Sequence, residues 1–173
     1  MSPETARSPH FATAMLLAFA MAVVVGTALG FEHIGGYIPC KLCLGQRLPY
    51  YIGVPVALVT GLAAMASAPR FVTRAGLAMI AGLMTWSIYL AVFHSGVEWG
   101  WWPGPADCAV VPDTGGSSNA SDLLNALSET VPPSCGEAVF RFLGLSFAGW
   151  NAIASVALAA LAWASVFAAG RRA

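Results

Sequence analysis

Four long apolar runs, none interrupted by Asp, Glu, Lys or Arg, dominate the chain. They are Phe11–Phe31, Leu48–Pro69, Ala75–Phe93 and Leu143–Gly170, of 21, 22, 19 and 28 residues. A helix needs about 20 apolar residues to cross the hydrocarbon core of a bilayer. Lipid offers no partners to unpaired backbone groups, so spans of this length read as helices rather than open strands. The pattern predicts an all-α membrane protein: one domain over 1–173, a four-helix transmembrane bundle with spans at about 11–31, 48–68, 75–93 and 146–168. Loops are expected at about 32–47 and 94–145. The long third loop is expected to carry one short amphipathic helix, Ser121–Val131, with Leu123, Leu124, Leu127 and Val131 on one side, suited to lying on a bilayer surface.

Composition removes the soluble alternative. Hydrophobic residues make up 58% of the chain and charged residues 9%, against about 25% charged in a typical globular chain. The first run also has features of a secretory leader, with Arg7 before it and Ala28-Leu29-Gly30 as a small-residue cleavage site. It is longer than the roughly 7–15 residues of a leader's apolar region, so an uncleaved helix is the expectation. Gly26 and Gly30 form a GxxxG that allows close helix packing.

Charge sets the orientation. Lys and Arg are enriched in cytoplasmic loops. Arg7, Arg70, Arg74, Arg171 and Arg172 lie on one side of the predicted membrane, and Lys41, Arg47 and Arg141 on the other. Both termini are therefore expected in the cytoplasm. No nucleic-acid partner is expected.

The chemistry-bearing residues are cysteines. Cys40 and Cys43 fall in the first loop, Cys108 and Cys135 in the third. Two spans separate those loops, so all four sulfurs face one compartment in either orientation. Four loop cysteines outside a membrane imply an oxidising compartment, in a bacterium the periplasm, and two possible disulfides. A Cys108–Cys135 bridge would close about 28 residues and contribute roughly 3–4 kcal/mol as a structural element. A Cys40–Cys43 bridge closes almost nothing, and pairs at that spacing are typically redox-active.

The local sequence around the first pair supports that role. It reads Gly35-Gly36-Tyr37-Ile38-Pro39-Cys40-Lys41-Leu42-Cys43-Leu44-Gly45-Gln46-Arg47-Leu48-Pro49. The glycines and Pro39 mark a loop. A second helix starting near Cys43 places Gln46 and Arg47 at i+3 and i+4, on the same face. Cys43 would then have a helix N-terminus and a cation beside it, both favouring thiolate. Pro49 is expected in the early helix, and Pro55 as a kink.

Dithiol pairs that relay electrons need a terminal acceptor. Gly35-Gly36 opens no dinucleotide fingerprint, Cys43 is followed by Leu44 rather than by the His of a haem motif, and His10, His33 and His94 are scattered. The acceptor class that remains is a membrane quinone, with no metal, haem or flavin. Arg47 can stabilise a developing anion on a quinone oxygen. His94, at the end of the third span, is expected to donate a hydrogen bond to the same ligand. Glu98 is expected only to solvate the loop. Trp99, Trp101 and Trp102 read as an interfacial belt. Gly115–Asn119 reads as a flexible stretch, and the Asn119-Ala120-Ser121 sequon carries no weight in a bacterial chain. Cys108 and Cys135 sit in Pro- and Gly-punctuated flanks, expected to be mobile.

Pro39-Cys40-Lys41-Leu42-Cys43, then Gln46-Arg47, at the head of the second span, resembles the disulfide bond formation protein B (DsbB) family. Single cysteines in a long third loop, and Phe142-Leu143-Gly144-Leu145-Ser146 with Trp150 at the last span, extend the resemblance from about residue 11 to 168. It implies an enzyme, a protein-dithiol:quinone oxidoreductase of the bacterial inner membrane. Its partners would be a periplasmic thioredoxin-fold oxidase, DsbA-like, and the ubiquinone or menaquinone pool. It further implies redox-active disulfides Cys40–Cys43 and Cys108–Cys135. Cys108 would be attacked by the partner, Cys135 would exchange with Cys40, and Cys43 would be released as the thiolate that reduces the quinone, assisted by Arg47. Gln46 stands where the family has Gln or Glu, and the Gly- and Trp-rich segment 99–105 differs from other members. Two rivals differ in recognisable ways. Vitamin K epoxide reductase-like proteins carry the CxxC in the last span. A zinc site would need four converging donors, here the four cysteines as thiolates.

Overall fold

The computed structural model describes residues 3–105 and 135–170. The expected surface helix Ser121–Val131, Gly115–Asn119 and Cys108 lie outside the described residues. Four helices carry the fold: α1 (Pro3–His33), α2 (Lys41–Met65), α3 (Arg70–Glu98) and α4 (Phe147–Gly170). Each contains a stretch long and apolar enough to cross a membrane, at His10–His33, Lys41–Met65, Arg70–Glu98 and Phe147–Ala168. The protein is a multi-pass membrane protein.

The helices overrun the uncharged stretches because backbone hydrogen bonding does not stop at the first charge. α2 begins at Lys41 rather than near Cys43 or Leu48, and passes through Pro49 and Pro55. Pro49 is therefore well inside the helix, where its missing N–H removes an interior hydrogen bond. At its far end Ala66 N–H bonds Leu62 C=O at 2.9 Å, Ser67 takes φ +68°, and Pro69 caps α3. α3 continues to Glu98, so His94 lies one turn inside a helix instead of at the head of a loop.

α1 packs on α2, α2 on α3 and α3 on α4; α4 closes the ring against α1, and that seam is the loosest. The core is built from small and medium side chains: Ala14, Leu17 and Met21 of α1, Tyr50 and Ala57 of α2, Leu77, Ile80, Ala81 and Met84 of α3, Leu158 and Ala162 of α4. Bulky side chains such as Phe19, Val59, Phe71 and Phe167 point outward, as expected when lipid rather than water surrounds the bundle. α1 thus supplies core as well as a span. Close approach comes at Gly76, where a Cβ would run into Thr60 of α2. Gly26 and Gly30 have open space where a Cβ would sit.

A feature absent from the all-helical expectation precedes α4. Strands β1 (Arg141–Phe142) and β2 (Leu145–Ser146) pair antiparallel in a two-residue hairpin. Its tip, Leu143 at φ +52° and Gly144 at φ +81°, has the left-handed backbone that such tight turns require. Ser146 Oγ then accepts the Gly149 N–H at 3.2 Å and caps the helix.

Candidate functional site

Pro39 and the glycines before it end the first loop, and Cys40 becomes the N-cap of α2, with extended backbone at φ −73° and ψ 168°. That conformation turns its Sγ back over the helix end, where it accepts the Cys43 N–H at 3.2 Å. The two sulfurs are 2.8 Å apart and both thiols are free. A disulfide bond of about 2.05 Å needs only a small closure of that gap. The helix terminus therefore favours the thiolate of Cys40, where the sequence alone pointed to Cys43. The Cys40 thiol is held far below the usual thiol range, at about 4. The main cause is the hydrogen bond with the Cys43 thiol; His94 and the Cys43 N–H add to it, and burial opposes it.

His94 is buried against this pair. Its Nε2 lies 3.7 Å from Cys40 Sγ, and its Nδ1 lies 2.6 Å from Gln46 Nε2. Gln46 Oε1 in turn accepts from Asn151 Nδ2 at 2.6 Å. Tyr50 Oη donates to Asn151 Oδ1 at 2.6 Å and sits 2.8 Å from Ser155 Oγ, which is 2.8 Å from Ser87 Oγ. One hydrogen-bonded line of side chains thus runs from Cys40 into the middle of the bundle across α2, α3 and α4. His94 does not line the cavity described below; its two nitrogens are occupied by Cys40 and Gln46. Glu98, one turn on, is also buried. Its Oε1 is 3.7 Å from His94 Nε2, and its Oε2 has no hydrogen-bond partner among the described residues. It is not a loop-solvating acid.

Cys135 is disulfide-bonded and buried at 2% exposure. It shares a small apolar cluster with Cys40 and Val97, flanked by Cys43, Phe93 and Trp102. The expectation of a sulfur held out in a mobile flank does not describe Cys135. The burial has a visible cause: Trp102 lies across Gly96, where a Cβ would collide with its ring, and Trp102 Nε1–H donates to Phe93 C=O at 2.9 Å. Trp99 and Trp101 remain exposed, as an interfacial belt requires. A bonded Cys135 cannot serve as one of four zinc thiolates.

On its other side the dithiol borders a cavity of about 330 Å³ between α1, α2 and α4. Val23, Val24, Phe31, Phe147 and Trp150 give it apolar walls; Cys43, Gln46, Arg47, Tyr50 and Asn151 form its polar edge. Cys40 is not among the lining residues. Arg47 forms an ion pair with Glu32 of α1, with both side chains largely buried. The cation anticipated beside Cys43 is thus on the same wall, with its charge already partnered by a carboxylate that the sequence did not single out. Asn151 and Tyr50 were also missed. An amide inside the uncharged run Leu143–Gly170 was the available signal, because polar groups within spans usually face a partner.

A family model described as disulfide bond formation protein DsbB matches residues 10–165. Among curated proteins, the chain is 31% identical to the disulfide bond formation protein B of Polaromonas sp. (strain JS666 / ATCC BAA-500), over 83% of each chain. It is 29% identical to the protein of that name from Polaromonas naphthalenivorans, over 79% of this chain and 78% of the relative. A third, from Verminephrobacter eiseniae, is 29% identical over 79% and 74%. No solved structure matches significantly. The four apolar helices, the dithiol at the head of α2 and these matches agree: the chain belongs to the DsbB family of disulfide bond formation proteins.

Proposed function

We propose that the protein is a protein-dithiol:quinone oxidoreductase of the bacterial inner membrane. It reoxidises a periplasmic thioredoxin-fold partner, DsbA-like, and delivers the electrons to a membrane quinone. The observation that carries this reading is the division of the dithiol: Cys40 packs with Cys135, while Cys43 lies on the cavity wall. Electrons entering at one sulfur can leave at the other without either side chain crossing the bundle.

Cys40 and Cys43 are free and Cys135 is bonded, which supports Cys108 as its partner in a four-cysteine chain. The DsbA-like dithiol attacks Cys108, and Cys135 leaves as thiolate. Cys135 then attacks Cys40 of the oxidised inner pair, and Cys43 leaves as thiolate. The partner's second thiol resolves its mixed disulfide with Cys108, so the partner leaves oxidised and Cys108 is freed as thiolate. Cys108 then attacks Cys135 of the Cys135–Cys40 bridge, restoring the outer disulfide and releasing Cys40. The low pKa of Cys40 suits it to that last step, because a low-pKa thiol leaves fast.

The cavity fits a quinone by chemistry: apolar walls for ring and tail, and Arg47, Gln46 and Asn151 as hydrogen-bond groups at one edge. A quinone takes up two electrons and two protons. The chain's own contribution is to hold Cys43 at the cavity edge and to present the Arg47 cation there, with Glu32 fixing its position.

The test is purified protein with a reduced thioredoxin-fold dithiol and a quinone, followed by quinone absorbance. Quinone-dependent oxidation is expected, and none would end the reading. In Cys108→Ser, a small dithiol should still reduce Cys40–Cys43 while the protein partner does not.

A further inference from the structure

The reduced dithiol has neighbours that electron transfer does not require. The Cys40 and Cys43 sulfurs and a ring nitrogen of His94 all lie within 4.8 Å of one another. The buried Glu98 carboxylate stands beside His94, 3.7 Å from its Nε2, with one oxygen unpartnered among the described residues. We infer that the reduced protein has a closed binding site for a borderline-soft divalent cation such as Zn²⁺, formed by Cys40 Sγ, Cys43 Sγ, His94 Nε2 and the Glu98 carboxylate. The ion caps the reduced dithiol reversibly and is not a resident cofactor.

The distances favour it. Zinc–ligand bonds of about 2.3 Å to sulfur and about 2.0–2.1 Å to nitrogen and oxygen, set tetrahedrally, imply edges near 3.6 Å for S–N and 3.4 Å for N–O. The Cys40–His94 separation is 3.7 Å and the His94–Glu98 separation is also 3.7 Å. The sulfurs, at 2.8 Å, must open to about 3.8 Å on the same geometry, and the Glu98 carboxylate, outside the group of donors that lie within 4.8 Å of one another, must turn towards them. Cys43 is only partly buried, which leaves its side chain room to turn.

Zinc binds thiolate rather than thiol, so the ion displaces the protons of the dithiol. Gln46 Nε2 lies 2.6 Å from Nδ1 of His94, and its Oε1 accepts from Asn151; metal binding at Nε2 moves the ring proton to Nδ1, so the Gln46 amide must turn over to accept it. Two thiolates balance a divalent charge, which limits the cost of burying the ion. Oxidation to Cys40–Cys43 removes both thiolates, so the site exists in one redox state alone. It differs from a four-cysteine zinc site, which the bonded Cys135 precludes.

The experiment uses full-length protein in detergent micelles, reduced, freed of reductant and titrated with Co²⁺, with Zn²⁺ as competitor. One equivalent should bind with a thiolate-to-cobalt charge-transfer band and tetrahedral visible bands, and Zn²⁺ should displace it. The quinone-oxidised protein should not bind. Cys40→Ser or Cys43→Ser should weaken binding more than 100-fold, His94→Gln about 10- to 100-fold and Glu98→Gln about 10-fold, on the scale by which a lost ligand or outer partner lowers metal affinity. Circular dichroism of each variant separates loss of the site from loss of the fold. Absence of binding to the reduced wild type overturns the inference. So does unchanged affinity and spectrum in His94→Gln, which would mean a bare dithiol complex. Quinone turnover, measured on the same metal-free preparation, is independent: turnover without binding overturns only the cation site, and binding without turnover overturns only the proposed function.

Discussion

The two sulfurs of the dithiol are neighbours at 2.8 Å yet belong to different environments. Cys40 sits in a tight apolar cluster with Val97 and Cys135, backed by His94 and a line of amide and hydroxyl groups. Cys43 borders an open cavity with an Arg47–Glu32 ion pair on its wall. One side is tightly packed, suited to fixed thiol exchange. The other is roomy and largely apolar, suited to a hydrophobic ligand that comes and goes. The comparison teaches that the helix N-terminus separates the two roles: the N-cap residue turns inward over the helix end, and the residue three positions on points to the side.

Substitutions that act on one side only test this division. The largest effect is expected from Cys43→Ser, which should lower quinone reduction by more than about 1000-fold while Cys40 still reacts with an alkylating agent. Near-normal turnover would refute the assignment of Cys43 to the cavity. Arg47→Met should next lower quinone turnover about 10- to 100-fold, at the weaker end of what a lost anion-stabilising group costs. The same variant should leave reduction of the Cys40–Cys43 disulfide by a small dithiol within about two-fold. Equal loss in both assays would show that Arg47 serves the whole site rather than the cavity.

The packed side has a pH signature. Alkylation of reduced Cys40 should be flat through the neutral range and fall as pH drops through about 4. The sign follows from linkage: a thiol whose pKa is depressed on folding stabilises the reduced folded state above its unfolded pKa, near 8.5. That stabilisation is lost progressively as pH falls towards 4. His94→Gln should move the alkylation midpoint upward, and an unmoved midpoint would remove His94 from the account.

Two smaller effects concern support. Gly96→Ala should push Trp102 off the Cys40–Cys135 cluster and destabilise the fold by about 1–3 kcal/mol, as overpacking does. It should also raise the accessibility of Cys135 to reductant. Tyr50→Phe removes the hydroxyl that joins Asn151 to Ser155 and should cost about 1 kcal/mol. Thermal unfolding in a fixed detergent checks both.

Much of this architecture was legible without coordinates. Each uncharged run became a helix because lipid enforces that outcome on any apolar stretch of sufficient length. The boundaries were less legible. Lys41, Arg47 and Glu98 sit inside helices because Arg47 has a carboxylate partner on α1 and Glu98 is shielded beside His94, and neither fact has a local signature. The Leu143–Gly144 hairpin was hidden inside an uncharged run, where hydropathy cannot distinguish a turn from a helix. Gly26 and Gly30 matched a packing motif, yet the contact formed at Gly76 instead. A spacing states only what a helix face can offer, not what meets it.

The sequence by itself determined the class of the protein, the side of the spans shared by its cysteines and the spacing of a pair with two residues between them. Those follow from local rules: length against bilayer thickness, span parity and loop closure. Only the tertiary structure decided which sulfur faces which partner. It set Cys40 with Cys135 and His94, gave Cys43 the cavity, tied Arg47 to Glu32 and drew Asn151 from α4 into the site. Each of those is a contact between segments far apart in the chain, fixed by how four helices close into a ring.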